Sequence, residues 1–238
     1  VPTSESPGNA PRTFNTLANT PTALAHLAVH FRPGERELAT RFFQLLGARI
    51  REFPNPLSPE PIYLVAMNGA EPDRASDIIF LMALKPAQAE LEEVIASALR
   101  IGTAEEHPAV GAFHAHRNEW LESYLHFGLV FDSLDELEAS VGRLRSEIEA
   151  DPVFGARIKD LRVLRARGED GDEAVAARMD SSAVFAEAEH AYGRNTVQVH
   201  IRTDLFATGL AMLDSVVELD FVFTGPGRER NPFNDLTP

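Results

Sequence analysis

Cysteine is missing altogether from the 238 residues. Its absence excludes a disulfide framework, a thiolate nucleophile and any Cys-based zinc or iron–sulfur centre, so a bound metal has to be held by His and carboxylate. It also fits a reducing compartment, and a cytoplasmic location is expected. No apolar run approaches the roughly 18 residues that cross a bilayer, so no membrane partner is expected. Basic charge is short as well: 22 Lys and Arg against 36 Asp and Glu give −14, a sign that repels phosphate backbones and argues against nucleic acid as a partner. A Gly-rich phosphate loop, a nucleophile elbow and an HExxH motif are all missing; GPGRER at 225–230 opens no helix and reads as a turn. Val1 stands where an initiating Met is absent, which leaves processing or trimming of the N-terminus open.

What is present is enough apolar material, 44% of the residues, to bury one large core or two small ones. An internal echo favours two. Residues 23–53 run ALAHLAVHF, GERELATRFFQLLG and ARIREF, reading as strand, helix, strand. Residues 122–148 repeat that rhythm with ESYLHFGLVF and SLDELEASVGRLRSEI. His26 matches His126 and Phe31 matches Phe131, a hundred positions apart in each case.

Taken in order, residues 1–21 form a Pro-, Ser- and Asn-rich tail with no apolar period. The first unit, 22–86, starts on a strand with Ala25, Leu27, Val29 and Phe31 on one face and Leu24, His26, Ala28 and His30 on the other. A helix carrying Leu38, Phe42, Leu45 and Leu46 follows and stops at Gly47, and then come the strands ARIREF, PIYLVAMNG and DIIFLMAL. A helical linker spans 87–121, with Leu91, Val94, Ile95, Ala98 and Leu99 as one apolar stripe. It also holds His107, His114 and His116, which read as surface residues.

The second unit, 122–224, repeats the plan: a strand with Leu125, Phe127, Leu129 and Phe131 on its apolar face, a longer helix through Leu134 to Ile148, then DLRVLRAR, TVQVHIRTD and SVVELDFVF. An acidic insertion at about 168–193 interrupts it and reads as a solvated excursion or a lid. Residues 225–238 form a polar tail.

Four strands divide alike, aliphatic on one side and rich in His, Glu, Asp, Gln and Arg on the other. In a half-exposed antiparallel sheet this would be core against solvent. The second face also carries Ala28, Gly128, Val130, Val216 and Val222, which suits a concave, partly dry surface better.

A His within the first strand, a helix ending in FFQLLGA and three further strands resemble the vicinal oxygen chelate superfamily, which includes glyoxalase I, extradiol dioxygenases and fosfomycin-resistance proteins. The resemblance covers about residues 22–84 and 122–223. It implies an α+β fold of two paired βαβββ modules, a curved mixed sheet around a central cavity with helices outside. It further implies a divalent metal held by His26, His126 and Glu218, the last in VVELDF. Two imidazoles and one carboxylate would leave positions open for a bidentate oxygen substrate, and for O2 if the metal is Fe(II). The expected metal is Fe(II), with Mn, Zn or Ni as alternatives. A fourth, glyoxalase-type ligand is not offered by DIIFLMAL beyond Asp77, which tilts the resemblance toward the extradiol dioxygenases.

Around that site, His200, His30 and then Tyr124 are the candidates for acid–base work, and Arg202 and Gln198 for substrate binding. Arg202 could equally pair with Glu218 or Asp220. The function expected is therefore that of a metal-dependent oxidoreductase cleaving a catechol-like ring, or of a related isomerase or lyase, acting on a small molecule as a monomer or homodimer. The competing expectations are a metal-free protein that sequesters a small molecule and an interaction module that recruits a partner through its acidic insertion.

Overall fold

The computed structural model describes residues 26–55, 59–66, 78–120, 124–168, 173–191, 193–207 and 209–224. The two tails, Leu24 and Ala25, the loop 71–76, Asp77 and the centre of the acidic run all lie outside these. Within them the protein is α+β, with two five-stranded mixed sheets that are not closed into a barrel and six helices. Among the described residues no helix is long and apolar enough to cross a membrane.

The first sheet is built from β1 (His26–Phe31), β2 (Arg49–Phe53), β3 (Ile62–Ala66) and β4 (Ile78–Ala83), with α1 (Arg36–Leu45) between β1 and β2. Its order is β2-β3-β4-β1, with β1 parallel to β4 and β2, β3 and β4 successively antiparallel. The apolar faces expected from the alternation are buried: Val29 and Phe31 of β1 and Phe42 and Phe43 of α1 are almost or wholly inaccessible. Gly34 and Gly47 bracket α1 at φ of 85° and 89°, a region a side chain disfavours, so both turns hold at little cost.

Two helices follow, α2 (Pro86–Leu99) and α3 (Pro108–Glu119), each opened by a proline at its first turn. The stripe expected to pack on α2 does not: Leu91 and Val94 are exposed and Glu92 is buried instead, accepting from Gln88 Nε2 and from the Met212 amide. The inward face of α2 was set by that polar anchor on a distant loop, which local periodicity cannot reveal.

The second sheet repeats the first. It uses β5 (His126–Val130), α4 (Leu134–Ala150), β6 (Ile158–Arg165), β8 (Thr196–Thr203) and β10 (Ser215–Val222), in the order β5-β10-β8-β6 and again with its first and last strands parallel. Pro152 ends α4 and begins the single turn of α5 (Pro152–Gly155), capped by Asp151 on the amides of Val153 and Phe154.

The insertion is no solvated excursion in its described part. Its helix α6 (Glu173–Asp180) and the turn after it bury Val175, Met179 and Phe185 in the core, and β7 (Glu189–His190) pairs with β6. Apolar residues scattered among acidic ones decided this packing, and the charge run in the sequence obscured them.

A short strand joins the halves. β9 (Phe206–Ala207) leaves the end of β8 and pairs with β1 of the first sheet. It places the Phe206 ring 5.1 Å from Phe42 and 4.9 Å from Phe43. Helices α1 and α4 also meet, where Arg41 pairs with Glu147 at 2.7 Å and with Asp151 at 2.6 Å, so a single buried cluster draws on both sheets.

Candidate functional site

The polar face of the second sheet carries the densest group of buried functional side chains. The antiparallel register sets Glu218 of β10 opposite His200 of β8, Asp220 opposite Gln198 and Val216 opposite Arg202. On the other side of β10, parallel pairing places His126 beside Val216 and Gly128 beside Glu218. Gln198, His200 and Glu218 are all buried, because β8 and β10 are interior strands of this sheet.

Glu218 is the centre. His126 Nε2 lies 3.1 Å from its Oε2, Gln198 Nε2 donates to its Oε1, and His200 Nε2 stands 3.7 Å from Oε1, beyond hydrogen-bond length. Burial alone would raise the carboxyl pKa. The neighbouring His126, His200 and Asp220 outweigh it and hold the group far below the usual carboxylate range, so Glu218 is ionised.

His126 is oriented from behind. Its Nδ1 is 2.6 Å from the carbonyl of Tyr124, which can only accept, so Nδ1 carries the proton. A neutral ring in that tautomer turns the Nε2 lone pair toward the carboxylate. Only a proton or a cation between the two makes that approach attractive. An imidazole anchored from behind and a facing carboxylate are a nitrogen and an oxygen of the donor types that could hold a divalent metal.

His26 lies on β1 in the other sheet, exposed, its ring 4.8 Å from that of Phe80. Among the described residues no group of three or more His, Asp or Glu is disposed to hold a metal ion. His200 has no hydrogen-bond partner on either ring nitrogen, and Gln198 Oε1 has none either. Buried polar atoms left in this state ask for a ligand or ordered water.

The remaining candidates divide. His30 is half-buried on the first sheet, its pKa pushed down by burial and Lys85 against the opposing pull of Glu92. The hydroxyl of Tyr124 is engaged with α3, 2.6 Å from His116 Nδ1. Arg202 pairs with neither Glu218 nor Asp220: its Nη1 donates to Asn118 Oδ1 at 2.6 Å and its Nη2 reaches the Lys159 carbonyl at 3.5 Å. The linker histidines have structural partners. His107 caps α3 by accepting from the Ala109 amide, and His114 Nδ1 accepts from Arg117.

Sequence reading set Asp220 and Gly128 on this face but gave neither a role in the site. Asp220 influences Glu218, and Gly128 sits where an added Cβ would lie 3.0 Å from Asp220 Oδ2. The signal for Asp220 was its spacing of two from Glu218, which puts both on one face of the strand. For Gly128 only the parallel register of β5 and β10 supplies a reason.

No protein-family model matches the chain, and no curated protein matches it. Among solved structures it is similar to the hypothetical protein SA1046 of S. aureus, at 10% identity, a TM-score of 0.35, and coverage of 87% of this chain and 96% of that one. So distant a likeness carries no argument about fold or function.

Proposed function

We propose that this chain is a metal-dependent enzyme built like the vicinal oxygen chelate proteins, its two βαβββ units paired about a cavity that opens on the β8–β10 face. The observation that carries the reading is the pair formed by His126 Nε2 and Glu218 Oε2 at 3.1 Å, with His126 Nδ1 committed to a backbone carbonyl. His126 and Glu218 would hold the ion, with His26 as the third ligand that the resemblance implies. Fe(II) is the first choice, and Mn, Zn or Ni the others. Such an ion, when bound, would supply Lewis-acid chemistry to two neighbouring oxygens of a small substrate and, with O2, oxidative cleavage of a catechol-like ring. The chain's own part is to fix the His126 ring through Tyr124, to keep Glu218 ionised, and to offer His200 and Gln198 as hydrogen-bonding groups toward the bound molecule.

A metal-free binding protein is the second reading. It is favoured by the contact that Gln198 adds to Glu218 opposite His126, which satisfies the carboxylate within the chain. Elemental analysis of freshly purified protein separates the two, followed by equilibrium dialysis with Fe(II), Mn(II), Zn(II) and Ni(II). A stoichiometric metal that is lost in His126→Ala and Glu218→Gln supports the enzyme. Retention of that metal in His26→Ala would remove His26 from the ligand set, and a clean apo protein with native circular dichroism and no metal uptake would sink the metal reading.

A further inference from the structure

We propose that α3 is the positioning element of this face: His116, Arg117 and Asn118, consecutive in the chain, hold the ends of the strands that bring His126 and Glu218 together, and His116 acts through Tyr124 on the His126 ring. This rests on the reading of His126 and Glu218 as the pair that meets a ligand, and it adds residues outside the sheet that set their geometry. In the second sheet β5, β10 and β8 are neighbours in that order. His116 Nδ1 lies 2.6 Å from the hydroxyl of Tyr124, ahead of β5. Arg117 Nη2 donates to Asp214 Oδ2 at 3.3 Å and its Nη1 donates to the Leu213 carbonyl, both ahead of β10. Asn118 Oδ1 accepts from Nη1 of Arg202, on β8, at 2.6 Å. The register puts Arg202, Val216 and His126 in one row, so the three contacts fall at the same end of the three strands.

The sheet alone does not hold the entries to β5 and β10. The ladder of β5 with β10 begins at His126, so Tyr124, whose carbonyl takes the His126 Nδ1 proton at 2.6 Å, stands outside it. Its ring is seated on α3 instead, edge-on to Phe113 at 5.2 Å and 5.7 Å from His116. Asp214 has φ 59° and ψ 165°, a backbone state that favours glycine and persists in other residues only where their surroundings enforce it. Arg117 supplies that enforcement from α3, and Glu92 of α2 adds an acceptor for the Met212 amide.

Arg117 is a costly group to use for packing alone. It is buried, and burial, opposed by Asp214, pushes its pKa down. A buried guanidinium is tolerated only where it is paired and hydrogen-bonded. Here Asp214, the Leu213 carbonyl, His114 Nδ1 at 2.9 Å and the Phe113 ring at 5.3 Å surround it. An apolar side chain would seat the helix without that cost, so what the charge adds is a fixed place for the chain as it enters β10 toward Glu218. His126 and Glu218 sit on parallel neighbours, and their approach to 3.1 Å holds only while the two strands enter the sheet in step.

The test follows the His126 ring by nuclear magnetic resonance in the full chain, labelled in histidine, beside calorimetric titration with Zn(II) and Mn(II). In wild type the Nδ1 proton of His126 is expected to be protected from exchange with water, with or without metal. His116→Ala and Tyr124→Phe should each lose that protection and weaken metal binding about tenfold, as loss of an outer-shell partner does. His116→Asn, which returns a hydrogen-bonding atom near the Nδ1 position, should restore both. Asp214→Gly suits the strained backbone but leaves Arg117 without its carboxylate, and should weaken metal binding while the His126 proton stays protected; wild-type affinity there overturns the part given to Arg117. Tyr124→Phe keeps its ring on Phe113 and decides the matter if His116→Ala loses its native circular dichroism. Wild-type exchange or wild-type affinity in both His116→Ala and Tyr124→Phe overturns the role of α3, as does a loss that His116→Asn fails to restore. If wild type takes up neither ion, the metal reading falls, and exchange of the Nδ1 proton alone decides the positioning.

Discussion

Gly128 shows how much of the candidate site turns on one missing carbon. An added Cβ would stop 3.0 Å from Asp220 Oδ2, close enough that the carboxylate must move although the backbone need not. Asp220 is one of the groups that hold Glu218 ionised, so moving it acts on the centre of the face without touching it. Gly128→Ala is accordingly expected to cost less than about 1 kcal/mol in urea unfolding. The same variant should weaken metal or ligand binding about tenfold, the lower end of what losing an outer-shell partner costs. Equal effects on stability and binding would show that Gly128 has only a packing role.

At the scale of elements, polar staples place the helices as much as apolar stripes do. Arg178 of α6 reaches Glu138 of α4 at 2.7 Å and Asp135 at 2.6 Å, and Ser182 also donates to Glu138. The Glu138 carboxyl is held below its ordinary value by Arg178 first, against the opposing effect of burial, with Ser182 adding to the depression. A carboxylate whose folded pKa is depressed stabilises fully above its unfolded pKa of about 4.3, and the contribution disappears as pH falls through the lower folded value. Glu138→Gln is therefore expected to lose about 1.5–3 kcal/mol at pH 7, the range for hydrogen bonds to a charged group. The gap to wild type should shrink as the pH of the urea titration is lowered from about 5 toward 3. A gap that does not change with pH would mean that the staple acts through packing alone.

For the whole molecule, the junction between the two sheets is both apolar and ionic. Phe206 enters the phenylalanines of α1, while Arg157 of the second half pairs with Glu35 before α1 at 2.5 Å and with Asp204. Lys159 and Arg32 add to Asp204 at 3.3 Å and 3.7 Å. One buried cluster spanning both sheets predicts one cooperative transition, with Trp120 fluorescence and far-ultraviolet circular dichroism changing together. Arg157→Ala should cost about 1.5–3 kcal/mol of stability, seen as a lower urea midpoint with an unchanged slope. Two separate transitions in the wild type would mean that the halves fold independently.

The element plan was legible in the residues because period-2 and period-3.6 alternation are local properties. Leu27, Val29 and Phe31 mark β1, Leu134 to Ile148 mark α4, and SVVELDFVF marks β10, each from its own few neighbours. Other features hung on contacts far along the chain. Glu92 rather than Leu91 faces inward on α2 because the Met212 amide needs an acceptor, and the acidic insertion packs because Met179 and Phe185 find space in a core made by strands on either side of it. The sequence by itself determined which residues alternate onto a shared face in β1, β5, β8 and β10, and where the eight main strands and the helices α1, α2 and α4 run. The tertiary structure alone decided which faces meet: that His126 stands against Glu218 with His26 in the other sheet, and that Arg202 finds Asn118 instead of an acid, because strand register and helix docking are set by partners dozens of residues away.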